Sequence, residues 1–153
     1  LASRPKKVSY VLFICKSLNY SRPINTMESE RAPDIQFMLE EILERLQLEH
    51  VINSRIICMR SRGAKVNAYA RIWSLPAIWR NALEINPFYI IEVVSEEYDH
   101  LPEEEKKKIL IHELIHIPKK FTGGLVPHKN RGRRIDDRFV DELYSRYLSA
   151  REV

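Results

Sequence analysis

Five consecutive residues, His112-Glu113-Leu114-Ile115-His116, constrain this 153-residue chain more than any other feature. On an α-helix, side chains at positions i and i+4 lie one turn apart on the same face, so both imidazoles can bind one metal ion. The glutamate between them then lies beside the metal, where it can act as a general base. The pattern therefore predicts a helix that carries two zinc ligands, His112 and His116, with Glu113 as the catalytic residue.

The residues around this motif favour a buried helix that ends at Pro118. Pro102 and the three glutamates after it suit a first helical turn, where an N–H is not needed and the helix dipole favours negative charge. The second half is apolar on nearly all sides except for a narrow stripe that holds the two histidines, which is typical of a buried helix. Two adjacent buried imidazoles need a partner, and a metal supplies one. The alternative is two core or surface histidines that have this spacing by chance.

A catalytic zinc ion needs a third protein ligand and an open position for water. We expect His128 to be that ligand, because Gly123-Gly124 permit a chain reversal after the helix and Pro127 stiffens the approach to His128. Imidazole is also the commonest protein ligand for metals. Asp141 or Glu142, further along the chain, could instead supply a carboxylate.

Length and a content of 44% hydrophobic residues indicate one ordinary globular domain over residues 1–153. No apolar run approaches the ~20 residues that a helix needs to cross a bilayer. The two cysteines, Cys15 and Cys58, are far apart and suggest free thiols in a cytoplasmic protein rather than a zinc site. Neither a membrane nor a cysteine-bound metal is expected.

Basic residues cluster just after the motif, in a chain with a formal net charge of +4. Such clusters can bind phosphate groups, but no aromatic stacking pattern accompanies this one, so we favour a solvated loop and assign no nucleic-acid-binding residue. The cluster consists of Lys119, Lys120, Lys129, Arg131, Arg133 and Arg134.

Hydrophobic periodicity predicts the remaining elements. An amphipathic helix is expected over residues 33–48, followed by a hairpin whose strands are residues 51–60 and 65–73, with its turn at Gly63. The role of residues 1–50 is not assigned.

After the hairpin we expect a short helical stretch over residues 75–83, a third strand over 88–94 and a C-terminal helix over about 133–150. This order predicts an α+β fold in which a small mixed β-sheet packs on the metal-binding helix, with additional helices. The packing face of the last helix is expected to comprise Phe139, Val140, Leu143, Tyr144, Tyr147 and Leu148.

Taken together, several motifs resemble those of the phage-type metallopeptidase family of the zincin-like superfamily. The resemblance covers about residues 50–148 and implies a zincin-like fold, one zinc ion per chain held by His112, His116 and His128, and a catalytic Glu113. It implies a peptide or protein substrate without naming one. The motifs are RSRG at 60–63, AYARIW at 68–73, FYIIEVV at 88–94, HELIHIP at 112–118, GGL at 123–125 and PH at 127–128.

The resemblance also implies that the strand at residues 88–94, through Tyr89, Ile91 and Val93, is the edge that holds an extended peptide. The alternative is that these are core residues. The donor that stabilises the oxyanion is not chosen by the sequence: Tyr144, Tyr69 and His100 are all candidates.

Three functions are left open by the sequence. The favoured one is a zinc-dependent peptidase of the cytoplasm, in which Glu113 takes a proton from a metal-bound water. The second is a nucleic-acid-associated enzyme that acts on DNA-bound proteins, as SprT-like proteases do, and only the basic cluster supports it. The third is a non-catalytic domain with a structural zinc ion, against which Glu113 argues, since a structural site gains nothing from an acid there.

Overall fold

A computed structural model describes residues 27–129 and 134–150 as an α+β fold with a four-stranded mixed sheet, which confirms the predicted fold class. A single 3₁₀ turn, Asn53–Arg55, precedes the second strand. Among the described residues, no helix is long and apolar enough to cross a membrane. The elements in chain order are β1 (Glu28–Arg31), α1 (Pro33–Leu46), β2 (Ile56–Arg62), β3 (Ala70–Ser74), α2 (Ala77–Leu83), β4 (Tyr89–Val94), α3 (Ser95–Tyr98), α4 (Glu103–Ile115) and α5 (Asp137–Ser149).

Helix α1 agrees with the predicted amphipathic helix. Pro33 occupies its first position and Asp34 its first turn, and the helix ends where Gln47 adopts a left-handed conformation with φ 51°. The buried face has the period of an α-helix and consists of Ile35, Leu39, Ile42, Leu43 and Leu46.

The order of strands in the sheet is β1-β2-β4-β3, so the predicted hairpin is wrong. Strand β4 lies between β2 and β3; it pairs parallel with β2 (Cys58 opposite Ile91) and antiparallel with β3 (Ile72 opposite Ile91). Gly63 does turn the chain at the end of β2, with φ 74°, but the loop after it leads to the far side of β4. The most apolar strand takes the central place because there it can be covered on both faces.

The central position of β4 also corrects the predicted substrate edge. Both backbone edges of β4 are paired, and Tyr89, Ile91 and Val93 are completely buried, so these residues cannot receive a peptide by strand addition. They are core residues, as the alternative interpretation held. The edge strand beside α4, the helix that carries His112 and Glu113, is β3 instead.

Strand β1, at the opposite edge, was not predicted. Its sequence, Glu-Ser-Glu-Arg, has no hydrophobic alternation, and all of its residues are exposed. It forms because its backbone pairs antiparallel with β2, with Glu30 opposite Arg60. A backbone pairing of this kind leaves no signal in a polar sequence.

Helices α1, α4 and α5 pack against one another, α1 contacts β2 and α4 contacts β3. The second half of α4 joins the core through Leu110, Ile111 and Leu114. Helix α5 begins at Asp137, later than predicted, because the Asp136 side chain accepts a hydrogen bond from the Phe139 N–H at 3.1 Å. Of its predicted packing face, Leu148 is 44% exposed, whereas the other members are buried or packed on the core.

Candidate metal centre

Helix α4 carries the motif at its C-terminal end, as predicted. Pro102 precedes its first residue, and three glutamates form its first turn. Its buried residues are Leu110, Ile111 and Leu114. His112 lies in the last turn, and His116 is the C-terminal cap residue with helical backbone angles of φ −68° and ψ −14°. Because the helical geometry persists to His116, both imidazoles lie on the same face.

The structure brings three histidines together. The Nε2 atom of His112 lies 3.0 Å from that of His128 and 3.3 Å from that of His116. The ligand atoms of all three lie within 4.8 Å of one another. Zinc–nitrogen bonds of ~2.0–2.1 Å in tetrahedral geometry place two ligand nitrogens about 3.3 Å apart, so the spacing fits a common metal ion. These residues can therefore hold a metal.

A hydrogen bond sets which nitrogen of His116 faces the cluster. Its Nδ1 lies 2.5 Å from the carbonyl oxygen of Val126. A carbonyl only accepts, so Nδ1 carries the proton and Nε2 presents its lone pair to the other imidazoles. The Val126 N–H in turn donates to the His116 carbonyl at 2.7 Å. These two bonds join the loop after α4 to the helix end.

The protonation states of the two helical histidines suit metal binding. Burial lowers the pKa of His112, and the neighbouring His116 and His128 lower it further. Burial likewise lowers the pKa of His116. The neutral imidazole, which is the form that binds metals, is thus favoured in both.

Glu113 lies on α4, and its carboxyl group is directed towards the edge strand β3. Burial raises its pKa to about 7, while a hydrogen bond from the backbone N–H of Ile72 acts in the opposite direction. A carboxyl group with such a pKa can both accept and release a proton near neutral pH. Glu113 and His112 line a cavity of about 550 Å³, whose other walls are Tyr69, Ala70, Leu101, Glu105, Lys108, Ile109, Asp137, Val140 and Asp141.

The three oxyanion-donor candidates have different positions. Tyr69 lines the cavity beside Glu113 and immediately precedes β3. Tyr144 is not among the lining residues; its ring stacks on Tyr147 with the centroids 5.8 Å apart. His100 is exposed and also does not line this cavity.

The two carboxylates considered as alternative ligands are not members of the histidine cluster. Asp141 lines the cavity but pairs with Lys108 at 3.1 Å, and Glu142 lines a separate groove with Arg45 and Arg146. Within residues 27–129 and 134–150, the cluster with metal-ligand spacing contains histidines alone.

Two groups in this site were missed by sequence reasoning: the Ile72 N–H beside Glu113 and the Val126 carbonyl that orients His116. Both are backbone groups, which every non-proline residue carries. No side-chain pattern could have identified them.

Three convergent imidazoles beside a partly buried carboxylate, on an α+β scaffold, are the arrangement of a metal-dependent hydrolase. The chain belongs to the family described as "Putative phage metallopeptidase", whose model matches residues 27–145. The match includes β1 and α1, so the family's domain extends further towards the N-terminus than the motifs indicated. No curated protein and no solved structure matches the chain.

Proposed function

We propose that this protein is a zinc-dependent peptidase that hydrolyses peptide bonds with a metal-activated water. The observation that carries the proposal is the convergence of the His112, His116 and His128 ring nitrogens beside Glu113. Membership of a metallopeptidase family supports the class of reaction. The free, buried thiol of Cys58 suits a reducing compartment, so we place the protein in the cytoplasm.

Zinc is the metal that suits this donor set. Three imidazoles with no thiolate among them form a three-ligand site that leaves a fourth position open, which is typical of catalytic zinc. When bound, zinc lowers the pKa of a water in that position and polarises the substrate carbonyl. His116 is held in the required tautomer by Val126, so its ligand nitrogen is available before the metal binds.

Glu113 is the general base in this proposal. Its carboxylate takes the proton as water attacks the carbonyl carbon, and it then delivers that proton to the leaving amine. The pKa of about 7 that burial produces suits both steps. A non-catalytic structural site would not need this acid, and burying a carboxyl group there would only cost free energy.

The substrate is an extended peptide bound along β3. Within the part of the chain that the structure describes, this strand pairs with β4 on one side only, and its residues Ala70 and Ile72 lie beside the cavity and Glu113. A peptide could add to its free edge through backbone hydrogen bonds, with the scissile bond close to the histidines. Tyr69, which immediately precedes this strand, is the donor we propose for the oxyanion.

The test combines zinc content with peptide cleavage. We expect the purified protein to retain one zinc ion per chain, located by anomalous scattering at the zinc edge on the three histidines. It should cleave a peptide library, and a chelator should abolish the cleavage until zinc is restored. Zinc bound elsewhere, or cleavage that survives complete zinc removal, would refute the proposal.

The nucleic-acid-associated alternative depends on the exposed basic residues that follow α4, of which Lys119, Lys120, Lys129 and Arg134 lie in the described ranges. If these side chains bind phosphate groups, duplex DNA should bind with an affinity that falls steeply as the salt concentration rises. Absence of binding at low salt would exclude this alternative.

A further inference from the structure

Tyr89 connects the centre of the sheet to the loop that carries His128. It is the first residue of β4, and its side chain is completely buried. Its hydroxyl group accepts a hydrogen bond from the Gly123 N–H at 2.9 Å and donates one to the Gly124 carbonyl at 2.9 Å. Its ring meets that of Phe121 edge to face, with the centroids 5.0 Å apart. One rigid side chain thus contacts three residues of the loop.

The loop is tightly confined where Tyr89 holds it. Gly123 adopts φ +90°, a conformation that residues with a side chain rarely take. A Cβ atom at this position would lie 2.9 Å from the guanidinium carbon of Arg80, on α2. The backbone conformation at this point therefore favours glycine, and a side chain here would also have to displace the Arg80 guanidinium group.

Beyond this point the loop leads directly to the third histidine. Val126 exchanges two hydrogen bonds with His116, through the ring Nδ1 and the backbone carbonyl. Two residues later, the His128 carbonyl accepts a hydrogen bond from the Ile135 N–H at 3.1 Å, and the ring of His128 meets that of His112. A change in the backbone position of Gly123 would therefore also displace His128, which follows it after a short segment.

We propose that Tyr89 is a positioning residue for the metal site: its hydroxyl group holds Gly123 and Gly124 so that His128 meets the two helical histidines. This inference rests on the proposed metal site. A ligand that is already in place loses less conformational freedom when the metal binds, so the affinity is higher. Groups that orient metal ligands in this way commonly change affinity by roughly 10–100-fold.

A buried phenol needs a hydrogen-bond partner in any case, so the test must separate metal positioning from ordinary core stability. Tyr98 offers a matched control. It is also completely buried, and its hydroxyl group also donates to a backbone carbonyl, that of Lys106 at 3.2 Å, near the opposite end of α4 from the histidines.

The experiment measures zinc affinity by competition with a chromophoric chelator, and the melting temperature of the zinc-free protein, for Tyr89→Phe and Tyr98→Phe. We expect Tyr89→Phe to weaken zinc binding on the order of 10-fold, and Tyr98→Phe to leave the affinity unchanged although it also lowers the melting temperature. Equal affinities in the two variants would overturn the proposal.

A double-mutant cycle tests whether Tyr89 acts through His128. In a His128→Ala background, Tyr89→Phe should no longer change the remaining zinc affinity, because the ligand that it positions is gone. A loss of the same size in that background would overturn the proposal while leaving the metal site intact. If the wild-type protein bound no zinc, the proposed function itself would fail. In that case none of the four proteins in the cycle would show measurable zinc affinity.

A measurement on the wild-type protein covers the case in which Tyr89→Phe does not fold. Without zinc, the Gly123 amide should be protected from hydrogen exchange, because Tyr89 already holds it. Exchange of this amide as fast as that of an unfolded peptide would show that the loop is not held in place, and would overturn the proposal.

Discussion

The Nε2 atoms of His112 and His128 lie 3.0 Å apart, although the two residues are sixteen positions apart in the chain. In the metal-free protein the two rings can share one hydrogen bond, in which the Nε2–H of one neutral imidazole donates to the Nε2 lone pair of the other. Burial lowers the pKa of His112 and so favours its neutral form, which is the form that binds metals. The proposed function requires a metal ion to take the place of that shared proton, and the predictions below follow from it.

Metal binding is expected to require both helical histidines. The double substitution His112→Ala, His116→Ala removes two of the three ligands, so metal analysis of the purified variant should find no stoichiometric zinc. Helix α4 should persist, because Leu110, Ile111 and Leu114 bury it independently of the metal, and circular dichroism should confirm this. Retention of one zinc per chain would refute the assignment of these ligands.

Replacement of Glu113 by glutamine should separate binding from catalysis. The amide keeps the shape of the side chain but cannot take a proton, so zinc content and melting temperature should stay near those of the wild type. The rate of peptide cleavage should fall by about 10²-fold or more. Undiminished turnover would show that another residue is the base.

His128→Ala should weaken zinc binding strongly while leaving the zinc-free fold largely intact, because His128 is exposed on a loop and contributes little to the core. Glu142→Gln is the matched comparison, since this carboxylate lines a different groove. Isothermal titration of both variants decides between them. Normal binding by His128→Ala together with lost binding by Glu142→Gln would make the site His-His-Glu.

Zinc should raise the thermal stability of the wild-type protein. An ion that binds only the folded state stabilises it by about 2.7 kcal/mol at a free concentration one hundred times its dissociation constant. A melting curve with and without a chelator measures this difference. The double histidine variant is the control and should show no shift; an equal shift in that variant would place the stabilising metal elsewhere.

A stability change at low pH is expected from the pair formed by Asp34 and Arg60. The guanidinium group of Arg60 donates two hydrogen bonds to the Asp34 carboxylate, at 3.0 and 2.7 Å, and lowers its pKa below 3.8. The stabilisation of the folded protein by this ion pair is therefore complete above the pKa that Asp34 has in the unfolded state. It is lost as the pH falls through the lower pKa of Asp34 in the folded state.

Melting temperatures of zinc-free wild type and Asp34→Asn test this expectation. The advantage of the wild type should be constant at neutral pH and should shrink as the pH falls below about 3.8, the ordinary aspartate value. Zinc-free protein is used so that loss of the metal in acid does not contribute. A difference between the two proteins that is independent of pH would contradict the assigned role of the ion pair.

Local features of the site could be predicted from the sequence because helical relationships span only four residues. Three local patterns each indicate a helix or one of its faces. They are the apolar period of α1, Pro102 before α4, and the spacing of His112 and His116. His128 could also be proposed, since Gly123-Gly124 and Pro127 indicate a returning loop. The sequence by itself thus determined the class of fold, the helix that carries His112 and His116, and the residues expected to serve as ligands.

Only the tertiary structure decided the order of the strands and what surrounds the histidines. Strand pairing depends on backbone groups that are the same in every residue, so nothing in the segment after Gly63 showed that β4 would separate β2 from β3. For the same reason Tyr89, expected at a substrate edge, lies in the centre of the sheet and forms hydrogen bonds with the loop that leads to His128. The contacts that complete the site join residues distant in sequence, and these form only when the whole core has packed.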